Sequence, residues 1–250
     1  MGEPGSLAGR GPFAAPARTV AGVHSLHLVA DNIEAVARRN DLWMAWNLFL
    51  AFVPVALAWL LFRHHGERRP QWWLGLALFV LFLPNAPYVI TDLVHLRGDV
   101  VVAGDDLAVV TGVVPVYAAF IGLGVLAYTV SVMLMGRYLD RVGLASVRPA
   151  IEVGVHAVAA VGVVLGRVAR LNSWEPVTEP HTTLERIVLT LSGRWAAVAV
   201  LGMFAVTWLA FAVTRPVVEA AWRRGRPALR GLSQLARSDG GALAHPLRRL

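Results

Sequence analysis

Apolar residues crowd into five long stretches of this chain, 42–62, 72–90, 107–135, 151–168 and 195–213. Each is close to or beyond the roughly 20 residues that carry a helix across a bilayer. The pattern therefore predicts an all-α fold, a polytopic transmembrane helical bundle of about five spans over 41–214. The region before it has a different rhythm. Val23, Leu26, Val29, Ile33 and Val36 recur at three- and four-residue steps, with Asp31, Glu34 and Arg38 on other faces. That spacing predicts an amphipathic helix over 19–40, lying at the membrane interface or leading into the first span. Residues 1–18 are rich in Gly, Pro and Ala and lack an apolar run, so they are expected to be disordered. They also lack the basic-then-apolar order of a secretory signal. Pro115 inside the third stretch is expected to tilt or kink it. The fourth stretch is the shortest and ends on Arg167, whose long stem can carry its charge to the interface. Trp43, Trp46, Trp59, Trp72, Trp73, Trp195 and Trp208 fall near stretch ends, as interfacial aromatics do. No internal repeat is visible, so the pattern offers no support for an inverted-repeat transporter.

The second stretch does not run on smoothly. From Trp72 to Pro84 a helix rises only about 18 Å, short of the far side of a hydrocarbon core roughly 30 Å thick. Pro84 and Pro87 each remove a backbone donor and crowd the preceding turn, so the second span is expected to be broken there. Irregular backbone at that depth persists only when it is buried in protein or lines a cavity. Asn85 or Ala86 is placed to cap a resumed helix, with Pro87 in its first turn. On an α-helix Tyr88, Thr91, Asp92 and His95 then fall at i, i+3, i+4 and i+7, forming one polar stripe.

Composition supports the membrane reading. The chain of 250 residues is 56% hydrophobic and 16% charged, with a mean hydropathy of +0.58, outside the ordinary soluble range. It contains no cysteine, which excludes disulfides, thiolate metal sites and a cysteine nucleophile. All 23 basic residues are arginine, and the net charge is +7. The arginines cluster in short loops and in the segment 215–250, so topology and anionic lipid explain them better than nucleic acid, which is not an expected partner. Arg63, Arg68 and Arg69 fall in the first loop, Arg137, Arg141 and Arg148 in the third, and eight arginines between Arg215 and Arg249. The second loop has only Arg97 against Asp92, Asp99, Asp105 and Asp106. The positive-inside rule then expects a multi-pass protein of the cell (plasma) membrane, with its N-terminus outside and an arginine-rich cytoplasmic tail. Arg38, Arg39 and the four arginines of the fourth loop run against that assignment.

This topology gathers polar groups at the outer face. Asn47 lies early in the first span, and the fourth exits through GRVARLNSW at 166–174, where Arg167 and Arg170 are three residues apart. The candidate ligand-binding set is Asn47, Asn85, Tyr88, Asp92, His95, Arg167, Arg170 and Asn172. Arginine forks suit phosphate or carboxylate, and an apolar wall beside a charged rim suits an amphiphile such as a lipid headgroup or cell-envelope precursor. In an enzyme, Asp92 or His95 would be the general base. Asp105 and Asp106 are expected to cap the third span, and His156 to be a packed, hydrogen-bonded histidine. Asp92 and His95 at i, i+3 are two ligands where a metal site needs more, so neither a metal nor a cofactor is expected. No nucleophile elbow, phosphate-binding glycine loop or zinc-protease helix occurs.

WNLFLAFVP at 46–54, LFLPNAPYVITDLVHL at 81–96 and GRVARLNSW at 166–174 together resemble a family of bacterial integral-membrane proteins, domain-of-unknown-function family 1361. The resemblance covers roughly 42–213 and is strongest in the middle motif. The family looks more aromatic in the third motif, where this chain has Val168 and Leu171. The resemblance implies a multi-span membrane protein without implying a chemistry. A transporter or permease component is the alternative to a polar surface site; it needs a polar path, for which His156, Thr111 and Tyr117 are the intramembrane groups. A structural or assembly subunit, with the tail docking a protein partner, is the third reading.

Overall fold

The computed structural model describes the backbone of residues 17–63 and 68–242, and side chains within 26–63 and 68–224. The disorder expected over 1–18 falls almost wholly outside the described residues, as do the end of the arginine-rich tail and the side chains of its arginines beyond Arg224.

Every regular element among the described residues is helical. The first helix, α1 (Ala17–Phe62), is unbroken. The second span is segmented: α2 (Pro70–Phe82), α3 (Asn85–Tyr88), a 3-10 turn (Val89–Asp92) and α4 (Leu93–Ala103). The third begins with α5 (Asp106–Ala108), widens to a π turn (Val109–Val113) and continues as α6 (Val114–Arg141). The fourth is α7 (Arg148–Val164), closed by a second π turn (Leu165–Ala169). Short helices α8 (Glu175–Thr178) and α9 (Pro180–Leu191) precede α10 (Ala196–Ala242).

Among the described residues five segments are long and apolar enough to cross a bilayer: Leu26–Phe62, Pro70–Ala103, Asp106–Arg141, Arg148–Ala169 and Ala196–Arg224. The chain is thus an all-α, five-span membrane protein. Its first two spans are longer than the sequence pattern suggested. At 1.5 Å per residue the 34 residues of the second rise about 51 Å, so part of it must project beyond the hydrocarbon. Large apolar side chains face outward throughout, among them Leu74, Leu189, Leu201 and Val213, each more than 60% exposed. In water such a surface would be a liability; in lipid it is the expected exterior.

Local chemistry explains the boundaries. Proline occupies the opening turns of α2, α7 and α9, where its missing N–H has no helical partner to lose. The Asp105 carboxylate accepts from the Ala108 N–H at 2.9 Å and caps the third span, as expected. Pro115 sits just past the π turn of that span, and a π turn relieves the crowding a proline imposes on the turn before it. Gly143, between α6 and α7, has φ +82°, which favours glycine.

The described residues divide into two compact units: those up to Asp41 with His95–Ala118, and Leu42–Val94 with those from Ala119 onward. In the first unit, the apolar positions of α1 divide, with Val29 and Val36 half-buried. Leu26 is 70% and Ile33 36% exposed, whereas Asn40 is buried and Asn32 half-buried. Asn32 Nδ2 donates to Thr111 Oγ1 at 2.9 Å, and the Asn32 carbonyl lies against Gly112, where a Cβ would come within 2.8 Å of it. In lipid, inward hydrogen-bonding residues such as Asn32 and Asn40 hold helices together.

In the second unit, α7 packs on α10, and α2 and α3 pack on α7. Its core includes Phe79, Leu83, Val89, Tyr128, Val132 and Val163. His156 is 1% exposed, hydrogen-bonded through Nδ1 to the Tyr128 hydroxyl at 2.7 Å and edged by Phe204 and Phe211. This is the packed histidine the sequence suggested.

Candidate functional site

The stretch joining α2 to α4 is held by close approach of two other spans. A Cβ on Gly162 would lie 2.3 Å from Pro84 Cγ, and one on Gly124 would lie 2.2 Å from Val89 Cγ2. Only glycine lets these spans come so near. Ala86, Pro87, Val89 and Asp92 are buried in consequence. Leu83 and Pro84 keep right-handed helical dihedrals, with φ −54° and −60°. The Asn85 side chain does not cap α3 by accepting a bond. It donates to the Phe82 carbonyl at 2.9 Å and to Ser173 Oγ at 2.7 Å. This ties the helix junction to the segment following the fourth span and supplies an acceptor for a donor in a buried setting.

Asp92 is the centre of the site. It is 2% exposed, and its Oδ2 accepts from Asn47 Nδ2 at 2.9 Å. Arg167 Nη1 stands 3.7 Å from its Oδ1. A carboxylate this buried needs donors and a nearby cation to remain charged. Asn47 supplies the first and Arg167 the second, the latter through an ion pair longer than a hydrogen bond. The Arg167 side chain is 33% exposed, so it has one side on the carboxylate and another open to the surroundings. Tyr88 packs its ring against Gly166, where a Cβ would lie 3.3 Å from Cε2.

The residues singled out from the sequence thus separate. Asn47, Asp92 and Arg167 form one linked group, and Asn85 is hydrogen-bonded to Ser173 within the same unit. The stripe Tyr88, Thr91, Asp92, His95 presumes an unbroken α-helix. The 3-10 turn at Val89–Asp92 has three residues per turn rather than 3.6, so α-helical spacing does not hold through it. Asp92 is buried, Tyr88 and Thr91 are half-buried, and His95 is exposed and belongs to the first unit. Thr91 spends its hydroxyl on the Tyr88 carbonyl at 2.7 Å.

Arg167 and Arg170 also part company. Three residues apart, they would share a face of an α-helix, but Arg167 lies in the π turn and Arg170 ends the helix with φ 55°. Arg170 is exposed, whereas Arg167 reaches Asp92. Asn172 turns to Glu175 Oε1 at 2.6 Å. His181 is exposed with Nδ1 3.6 Å from Glu185, while Ser173 is engaged by Asn85.

A second carboxylate centre, in the first unit, is one that hydropathy and charge spacing do not single out. Asp99 is 6% exposed. Its Oδ2 accepts from Asn40 Nδ2 at 2.9 Å and from the Tyr117 hydroxyl at 2.8 Å, and Arg39 Nε lies 3.2 Å from its Oδ1. It borders a cavity of about 240 Å³ that Asn32 and Arg39 also line. One signal was available: Asn40 precedes Asn47 by seven residues and Asp99 follows Asp92 by seven, a two-turn repeat in both segments. Among the described residues no group of three or more His, Asp or Glu is placed to hold a metal ion.

A family model described as "Protein of unknown function (DUF1361)" matches residues 46–209. The match covers well over half of the chain, and the chain belongs to this family. No curated protein and no solved structure matches it.

Proposed function

We propose that this family member binds the polar or anionic part of an amphiphile, a lipid headgroup or envelope precursor, at a site centred on Asp92 at the outer membrane face. One observation carries the proposal: a carboxylate 2% exposed within a membrane-spanning segment, hydrogen-bonded by Asn47, with Arg167 at 3.7 Å. Ionisable groups in such segments are costly and mark sites of function. Arg167 is the group that meets the ligand. It is one-third exposed, and its planar fork suits a phosphate or carboxylate oxygen pair. When the anion engages Arg167, Asp92 is left as the acceptor for a proton from a ligand hydroxyl or ammonium, the role of a general base if the protein is an enzyme. Asn85, Tyr88, Arg170 and Asn172 complete the proposed rim. In this reading Pro84 and Pro87 break the second span so that Asp92 can be offered to the ligand, and the N-terminus is outside with the C-terminus in the cytoplasm.

The orientation is tested by single cysteines in this cysteine-free chain. With an impermeant thiol reagent, Cys at Val177 should label from outside and Cys at Ser146, exposed in the loop after α6, only from inside; the reverse overturns it. Function is tested by profiling lipids and envelope precursors in a deletion strain, complemented by wild type, Asp92→Asn or Arg167→Gln at matched abundance. A species that changes on deletion and is restored only by wild type is expected. No changed species, or full restoration by both variants, refutes the proposal. A transport role draws support from the Asp99 centre, which adds polar groups to the spans; uptake that Asp99→Asn abolishes and Asp92→Asn spares would favour it.

A further inference from the structure

A second cavity lies in the second unit, away from Asp92 and lined by different residues. It has a volume of about 490 Å³ and is walled by Trp59, Phe62, Arg63, Leu134, Arg137, Asp140 and Arg141. Its position follows from the helix ends: Phe62 closes α1 and Arg141 closes α6. The apolar wall and the charged wall therefore meet where two spans leave the bilayer, at the level of the lipid headgroups.

Three arginines and one carboxylate share this lining, and the carboxylate also pairs outside it. Asp140 Oδ2 lies 2.6 Å from Arg148 Nη1. Arg148 also binds Glu152 at 2.7 Å, and Arg215 binds Glu219 at 2.9 Å. Three guanidinium groups and one carboxylate thus line the cavity, a formal excess of positive charge in the lining.

The arginines are also held in place, which lowers the entropy lost when they bind. Arg63 stacks over the Trp59 ring at 4.3 Å and Arg137 over the Trp222 ring at 3.4 Å. Stacking uses the face of a guanidinium and leaves its N–H donors around the edge. Arg141 donates to the Phe62 carbonyl, which occupies one of its five N–H groups.

We propose that this cavity binds the phosphate of an anionic phospholipid, with Arg63, Arg137 and Arg141 on the phosphate and Trp59, Phe62 and Leu134 along the start of the acyl chains. Phosphate recognition follows from the converging forks. The lipid source follows from the apolar wall: Trp59, Phe62 and Leu134 line the cavity, and Trp59 is half exposed. The volume is that of an ordinary small-molecule site, and basic pockets between spans are a recurrent way to hold such headgroups.

The full chain is delipidated in detergent and titrated with dioleoyl phosphatidylglycerol, dioleoyl phosphatidylcholine or inorganic phosphate. Bound lipid is counted by native mass spectrometry, and thermal unfolding is followed in parallel. Phosphatidylglycerol should bind about tenfold more tightly than phosphatidylcholine, and Arg63→Gln/Arg141→Gln should remove that preference, a change worth one decade in Kd. Arg63→Gln alone, at an exposed helix end, gives the same reading should the double variant fail to fold, and Arg194→Gln should behave as wild type. Equal binding of the two lipids, or a preference that survives both arginine variants, overturns the proposal. Stabilisation by millimolar phosphate alone, with displacement of phosphatidylglycerol, overturns the lipid source and assigns the cavity to a free anion.

Discussion

Removing either partner of the Asp92–Arg167 pair should destabilise the protein, but unequally. Arg167→Gln takes an ion-pair partner from a carboxylate whose side chain is 3% exposed. Breaking a buried pair in this direction costs about 3–5 kcal/mol. The 3.7 Å separation and the retained Asn47 bond reduce that to about 2–3 kcal/mol. Asp92→Asn leaves the opposite charge behind on a side chain that is 33% exposed. That guanidinium can swing outward on its long stem, and an Asn oxygen can still accept from Asn47, so the cost should be about 1 kcal/mol. The double variant should cost less than the sum of the two by about 1–2 kcal/mol. Reversible unfolding in mixed micelles, titrated with a denaturing detergent, measures all three. Strict additivity, or Asp92→Asn costing more than Arg167→Gln, would show that Arg167 does not hold the carboxylate and would sink the electrostatic account of the site.

Gly162→Ala places a methyl 2.3 Å from the Pro84 ring, which cannot rotate away; the same unfolding assay should report a loss of about 1–3 kcal/mol. Gly122→Ala, with nothing within 4 Å of the new atom, should be neutral or stabilise by up to about 1 kcal/mol. Tyr128→Phe removes the hydroxyl bonded to buried His156 and should cost about 1–3 kcal/mol; no measurable loss would mean that water replaces it. Tyr117→Phe removes one donor from Asp99 while Asn40 and Arg39 remain, so it should cost about 1–2 kcal/mol, and less in an Asp99→Asn background.

Hydropathy alone made the class of this protein legible. A run of apolar residues long enough to cross a bilayer has few other uses, so five spans, an all-α fold and a membrane location follow from counting. Capping by Asp105 and the packing of His156 were legible too, because each depends on near neighbours or on burial inside one span.

The site was legible only in part, since its register is decided by helix type. Sequence spacing assumes 3.6 residues per turn throughout. The 3-10 turn at Val89–Asp92 and the π turn at Leu165–Ala169 break that assumption, and so Arg167 reaches Asp92 while Arg170, three residues on, is exposed. The sequence determined which residues could carry charge into the membrane: Asp92, Asp99, Arg167, Arg39 and the loop arginines. Tertiary structure decided which of them pair, through glycines at 124, 162 and 166 that let spans approach and through helix turns of uneven pitch. Composition and periodicity are properties of one segment, whereas a buried ion pair is a property of two.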